Sequence, residues 1–204
     1  VPVLSHYRVE RGDEQTRNLI DKVATLLAAC LLLVSVLGVV AAPLIVYVSA
    51  PGFSADSGKF ELTVALLQIT FPYIFFIALV SLAGGILNTW GRFAVPALTP
   101  SLLNLSFIVM ALFAAPYFDP PVMVLAWAVF IGGALQLVFQ LPALARLGVL
   151  PRWRFDWRDE GVVRVLKLMA PALLGVSVAQ ISLLLNTIFA SFLPTGSEIG
   201  RAHV

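Results

Sequence analysis

Five stretches of the chain run for twenty-six residues or more without a charged side chain: Val23–Ala55, Leu62–Gly91, Phe93–Phe118, Pro120–Ala145 and Leu168–Ser197. Each is long enough to cross a hydrocarbon core of roughly 30 Å as a helix rising about 1.5 Å per residue. Inside lipid every backbone N–H and C=O must be paired within the segment, which favours helices. The expected fold is therefore all-α: a polytopic membrane helix bundle with five full spans, at about 23–49, 62–90, 98–118, 121–145 and 168–194. An inner loop is expected over 146–167.

The loops between these runs are electrically lopsided. The leading segment carries Arg8, Arg11, Arg17 and Lys22, the second-to-third connection Arg92, and the fourth-to-fifth Arg146, Arg152, Arg154, Arg158, Arg164 and Lys167. The two alternate loops hold only Lys59. Positive charge collects on the cytoplasmic side of membrane proteins, so the N-terminal end is expected in the cytoplasm and the fifth span exits on the far side. Within the leading segment, Asp13, Glu14 and Arg17 have the spacing of helix-face ion pairs, which predicts a short interfacial helix before the first span.

Composition excludes several classes. Charged residues make up 12% of the chain and hydrophobic ones 60%, against about a quarter charged in soluble domains. The net charge of +2 carries no nucleic-acid signal, because the basic residues are used for topology. The single cysteine, Cys30, falls within the first span and is expected to be a small buried apolar residue. No ligand cluster, Gly-rich phosphate loop or nucleophile–base pair is present in the sequence, so neither an enzyme nor a bound cofactor or metal is expected. The chain opens Val1-Pro2-Val3-Leu4 without an initiator Met or a cleavable signal pattern, and is expected to begin inside a longer protein. Residues 198–204 read as a translated sequencing adapter, so Arg201 and His203 are given no role.

Several features shape the spans. Gly38 and Ala42 form a small-xxx-small pair that lets a neighbouring helix approach. Pro72 and Gly84-Gly85 are places where the second span can bend. Asp119-Pro120-Pro121 makes a short outer turn, so the third and fourth spans form an antiparallel hairpin. In the inner loop, basic residues interleave with Trp153, Phe155 and Trp157, while Val162, Val163 and Leu166 have the spacing of an apolar helical strip. This pattern fits an anionic lipid headgroup site, or aromatic-belt anchoring combined with the positive-inside bias.

No ionisable residue lies in the middle of any span, so the usual intramembrane pointer to function is missing. What remains is neutral and polar. Gly132, Gln136 and Gln140 recur every four residues and share one helical face; Ser177, Gln180, Thr187 and Ser191 share another; Ser81 and Asn88 lie seven apart. Such faces point at other helices or at water, as interhelical hydrogen-bond glue or as the wall of a hydrophilic cavity. Arg92 is the only charge in the tight Trp90–Val95 turn, with Asn88 one helical turn before it. It serves either topology or capture of an anionic headgroup.

The run Ile86-Leu87-Asn88-Thr89-Trp90-Gly91-Arg92-Phe93, continuing into Val95-Pro96-Ala97-Leu98-Thr99-Pro100-Ser101-Leu102-Leu103-Asn104, resembles the bacterial lipid II flippase family (MurJ/MviN). So do Thr70-Phe71-Pro72-Tyr73-Ile74, Leu112–Phe118 and Gly175–Ser182, and the similarity continues in order over about residues 1–196. The resemblance implies a fourteen-helix transporter of the multidrug/oligosaccharidyl-lipid/polysaccharide exporter superfamily, of which this chain holds the tail of the second span and the third to seventh. It also implies alternating access in the bacterial inner membrane. The partners it implies are the undecaprenyl-diphosphate-linked disaccharide-pentapeptide, membrane lipids and other cell-wall synthesis proteins. The family's diphosphate-binding arginines belong to its first, second and eighth spans, and none can be carried over to a position here. The fifth span contains no acidic residue where some relatives place one at a cation site, and Gly91 stands where relatives are expected to have a polar residue. The rival readings are another exporter of the superfamily, for polysaccharide-lipid or drugs, and a non-transporting membrane scaffold. The candidate substrate-path residues are Asn88, Arg92, Gln136, Gln140, Ser177, Gln180 and Thr187.

Overall fold

A computed structural model describes residues 2–55, 57–156 and 158–191. Among them the regular elements are helices: α1 (Pro2–Ser49), α2 (Ser57–Thr70), α3 (Tyr73–Thr89), α4 (Ala94–Phe113), α5 (Met123–Arg146) and α6 (Glu160–Ser191). Short 3-10 turns at Pro51–Ala55 and Ala115–Tyr117 join α1 to α2 and follow α4. Four helical spans among the described residues are long and apolar enough to cross a membrane: Leu4–Ser49, Gly58–Thr89, Ala94–Phe113 and Met123–Arg146. The expected fifth span falls largely within α6, although its residues 192–194 lie outside the described residues, as do Trp157 and 198–204.

Large apolar side chains such as Leu32, Leu37, Val40, Ile108 and Leu112 are exposed along the helices. A water-soluble bundle would cover that surface; lipid accepts it, since packing between membrane helices does not depend on a hydrophobic driving force.

The second span bends where proline requires it. Helix α2 stops at Thr70, Phe71 and Pro72 form a turn, and α3 resumes at Tyr73. The Gly84-Gly85 pair does not bend α3, which runs unbroken through it. Gly84 acts in packing instead: a Cβ there would lie 3.5 Å from Pro96 Cβ of α4. Gly38 of α1 accommodates the Phe71 ring, and Ala42 one turn later is fully buried, so the small-residue pair does admit its neighbour. Cys30 is exposed rather than buried, because it lies on a face of α1 that no other described helix covers.

Helix α5 is central, packing against α2, α3 and α4. Its buried residues include Val124, Ala128, Gly132, Gln136, Gln140 and Leu144, one every four positions. At about 100° per residue, a four-residue step advances the seam by about 40°, so the buried stripe winds around the helix from one neighbour to the next. Two glycines seat those neighbours. A Cβ at Gly132 would come 2.6 Å from Leu103 Cδ1 of α4, and one at Gly133 2.7 Å from Tyr73 Cδ2 of α3.

Helix boundaries depart from the charge-free runs at three places. Helix α4 starts at Ala94, four residues before the expected 98, because Pro96 sits in a first turn where a missing N–H costs nothing. It ends at Phe113, with a 3-10 turn covering Ala115–Tyr117 of the expected span. Helix α6 starts at Glu160 instead of 168, shortening the expected loop of 146–167 to residues 147–159. Asp159 sets that start as an N-cap: its Oδ1 accepts from Gly161 N at 2.9 Å and Val162 N at 3.4 Å.

Candidate functional site

The basic segments converge on one end of the bundle. Helix α1 is interrupted at Gly12 (φ 78°, ψ 175°), a left-handed conformation open to glycine at little cost. The helical residues 2–11 before it, about three turns, fold against the α3–α4 connection. Arg8 Nη1 donates to Thr89 O at 2.9 Å, its guanidinium lies 4.6 Å from the Trp90 ring centroid, and its Nε pairs with Asp13 Oδ1 at 2.7 Å. Asp13 is thus taken by Arg8 rather than by Arg17 of the predicted helix-face pair, and Arg17 instead reaches Leu147 O at 3.5 Å. Beneath this layer Ile20, Ala83, Ile86, Leu87, Leu144 and Val149 form a closed apolar cluster joining α1, α3 and the end of α5.

The Trp90–Phe93 turn is a Schellman cap. Gly91 N donates to Asn88 O at 3.0 Å, Arg92 N to Leu87 O at 2.8 Å, and Gly91 takes φ 72°. Left-handed φ explains why glycine is acceptable at Gly91, where the family resemblance led to the expectation of a polar residue; asparagine is the other residue that tolerates it. The same motif ends α5, through Gly148 at φ 64°. The cap leaves the Arg92 side chain exposed at the basic end and without a bonded partner among the described residues, with Asn88 half-buried one turn before it.

The loop 147–159 is bound along α1. Asp21, 8% exposed, accepts from Arg152 N at 2.9 Å, and Thr25 Oγ1 accepts from Arg154 N at 2.9 Å. Arg154 Nη1 donates to Asn18 Oδ1 at 2.8 Å. Lys22 Nζ bridges Asp156 Oδ2 at 2.9 Å and Asp159 Oδ2 at 2.6 Å. The hydrogen bond from Lys22 holds the Asp159 carboxyl below the usual carboxylate range, against the opposing effect of burial and with help from the Gly161 and Val162 amides. A polar cleft of about 220 Å³ opens beside this pair, lined by Tyr7, Arg11, Gln15, Asn18, Leu19, Lys22 and Asp159.

Within the spans the two glutamines of α5 meet one residue of α4. Gln136 Nε2 donates to Thr99 O at 3.2 Å and Gln140 Nε2 to Thr99 Oγ1 at 3.0 Å, with Gln136, Gln140 and Thr99 all buried. Thr99 Oγ1 in turn donates to Val95 O at 2.8 Å. Two turns on, Ser106 Oγ donates to Ala128 O at 2.8 Å. These are bonds between helices, and they place the amides inside the α4–α5 contact. The α6 positions lie apart from this cluster. Helix α6 packs against α1 and the Pro51–Ala55 turn, with Ser177, Gln180 and Thr187 exposed, and Thr187 Oγ1 bonding back to Leu183 O at 3.0 Å.

Sequence reasoning missed Thr99, Asp21 and Thr25 as organising residues. A lone threonine in an apolar helix looks the same whether it bonds back one turn or across to a neighbour. No group of three or more His, Cys, Asp or Glu able to hold a metal occurs among the described residues.

A family model described as lipid II flippase MurJ matches residues 1–200. The chain is 44% identical to a probable lipid II flippase MurJ of Haemophilus influenzae, an alignment covering 97% of this chain and 40% of the relative. It is 44% identical to a probable lipid II flippase MurJ of Vibrio cholerae and 43% to the lipid II flippase MurJ of Burkholderia cenocepacia, covering 97% of this chain and 39% of each relative. The chain therefore spans about two fifths of the length of these relatives. With a match along nearly all of its residues, on a bundle whose helices and α3–α4 turn carry the motifs that suggested it, the chain belongs to the lipid II flippase MurJ family.

Proposed function

We propose that the protein to which this chain belongs moves the undecaprenyl-diphosphate-linked disaccharide-pentapeptide of peptidoglycan synthesis across the bacterial inner membrane, as a transporter and not as an enzyme. The observation that carries this reading is the family match over residues 1–200. Alternating access of this bundle against the remainder of the protein is the mechanism it entails, and other cell-wall synthesis proteins are its expected partners. The basic end faces the cytoplasm in this reading, supported by the gathering of Arg8, Arg17, Lys22, Arg92 and Arg154 at one pole of the bundle.

The candidate residues then divide by environment. Gln136 and Gln140 hold α4 to α5 through Thr99, giving the bundle the rigidity that a moving lobe needs. Ser177, Gln180 and Thr187, exposed on α6, offer a polar face to the substrate path. Arg92 captures the headgroup at the cytoplasmic mouth: it is exposed, it has no bonded partner among the described residues, and a guanidinium meets a diphosphate bidentately where an ammonium acts as a point charge. Neighbouring Arg8 is committed to Thr89 and Asp13 and fixes the turn from which Arg92 projects.

Complementation of a flippase-depleted strain by the full-length protein carrying Arg92→Lys or Arg92→Ala tests this role. A growth defect in both, at normal protein level, is expected. Growth of the lysine variant equal to that of the parent, with only alanine defective, would reduce Arg92 to a topology charge.

A further inference from the structure

The extended segment at residues 151–155 presents an aromatic pair that the bundle does not cover. Trp153 is 81% exposed and Phe155 69%, although the backbone on either side is fixed. The amides of Arg152 and Arg154 bond to Asp21 and Thr25, acceptors one helical turn apart on α1. Two extended residues advance about 6.6 Å and one helical turn about 6 Å, so the strap runs alongside α1 in matching register. The amides of Arg152 and Arg154 face α1, while the side chains of Arg152, Trp153, Arg154 and Phe155 are all exposed.

The depth of this strap is fixed by what holds it. Lys22 is the last charge of the leading segment, and the charge-free run of α1 begins at Val23. A strap bonded to Asp21 and Thr25 straddles that boundary, where water gives way to hydrocarbon. Aromatic rings favour this zone, having an apolar body and, in tryptophan, a polar N–H.

The charges around it are sorted. Residues 146–167 contain six basic side chains and three acidic ones, Asp156, Asp159 and Glu160. Asp156 and Asp159 both pair with Lys22, whereas Arg146, Arg152, Arg164 and Lys167 are exposed. Two of the three acids are paired with Lys22, and the exposed basic side chains around the strap are complementary to an anionic bilayer surface.

We infer that the 151–155 strap is a docking site for anionic phospholipid: Trp153 and Phe155 insert among the headgroups, and the surrounding arginines select negatively charged ones. The site holds the α5–α6 connection, and the start of α6 with it, at a fixed depth in the membrane. It requires a membrane-spanning bundle but neither the flippase substrate nor a particular orientation, so its failure and that of the flippase reading are separable.

The test uses the full-length protein in liposomes of phosphatidylcholine and phosphatidylglycerol, with one or the other lipid brominated and no lipid-linked precursor present. The Trp153 signal is the difference in fluorescence between the parent and Trp153→Phe. Brominated phosphatidylglycerol is expected to quench it at least twofold more strongly than brominated phosphatidylcholine at equal mole fraction, with the ratio falling toward one in Arg152→Gln/Arg164→Gln. Equal quenching by the two lipids in the parent would show a non-selective aromatic anchor and overturn the site. No quenching by either, as when the remainder of the protein covers the strap, would overturn it as well. A ratio unchanged in the double variant would remove the arginines from the recognition and refute the proposal as stated.

Discussion

Thr99→Val is the sharpest test of the polar contact between α4 and α5. Valine keeps the shape of threonine, so the change removes the hydroxyl and little else. In the parent, Gln140 Nε2 donates to that hydroxyl at 3.0 Å while the hydroxyl donates to Val95 O at 2.8 Å. Removing it strands the amide of Gln140, which is 1% exposed. A buried donor left without its acceptor costs about 1–3 kcal/mol. The Gln136 bond survives, because it ends on the Thr99 carbonyl. Gln140→Leu acts differently: it removes the donor itself and leaves Thr99 still bonded to Val95. Its cost is then only that of one interhelical bond, about 0.6 kcal/mol on average and up to ~1.7 kcal/mol. Thr99→Val should therefore destabilise more than Gln140→Leu, and the double variant should resemble Gln140→Leu alone. Reversible unfolding of the four proteins in mixed micelles, read by circular dichroism, measures the cycle. Additive costs, or Gln140→Leu as the more damaging change, would show that the amide does not depend on Thr99 and refute the argument.

Two further outcomes follow from the packing and the charges. Gly132→Ala brings a Cβ to 2.6 Å from Leu103 Cδ1 and 3.3 Å from the Leu103 Cα, and backbone cannot give way cheaply. It should cost about 1–3 kcal/mol, whereas Gly84→Ala meets nothing closer than 3.5 Å and should be tolerated; thermal unfolding of the purified protein in detergent ranks the pair, and the reverse order would refute the packing. For orientation, in a Cys30→Ala background, cysteine at Gly58 should react with an impermeant thiol reagent in intact cells, and cysteine at Glu14 only after permeabilisation; the opposite pattern would invert the bundle.

The spans were legible because lipid imposes one requirement on every residue of a crossing helix, and that requirement shows as a lack of charge. Helix ends answer to different forces. The start of α6 at Glu160 is set by the Asp159 carboxylate and the end of α3 by the left-handed Gly91, local events that a lack of charge does not register. Pro72 could be read as a break because the loss of its N–H is intrinsic to the residue, whereas Gly84 is permissive either way and its partner, Pro96, decided that it would pack.

The basic residues show the same limit from the other side. Lys22 and Arg8 could be counted as topology charges from position alone, yet each also closes a long-range contact: Lys22 with Asp159, separated by 137 residues, and Arg8 with the Thr89 carbonyl, separated by 81. Nothing in the neighbourhood of Lys22 indicates which acid it will meet, because that depends on how α5 returns the chain to the end where α1 began. Once it does, a charge countable from position alone as a topology charge fixes the loop beside it. Arg92 makes no such contact among the described residues: its turn is already closed by backbone bonds and its side chain is exposed, which leaves that cation available to a ligand.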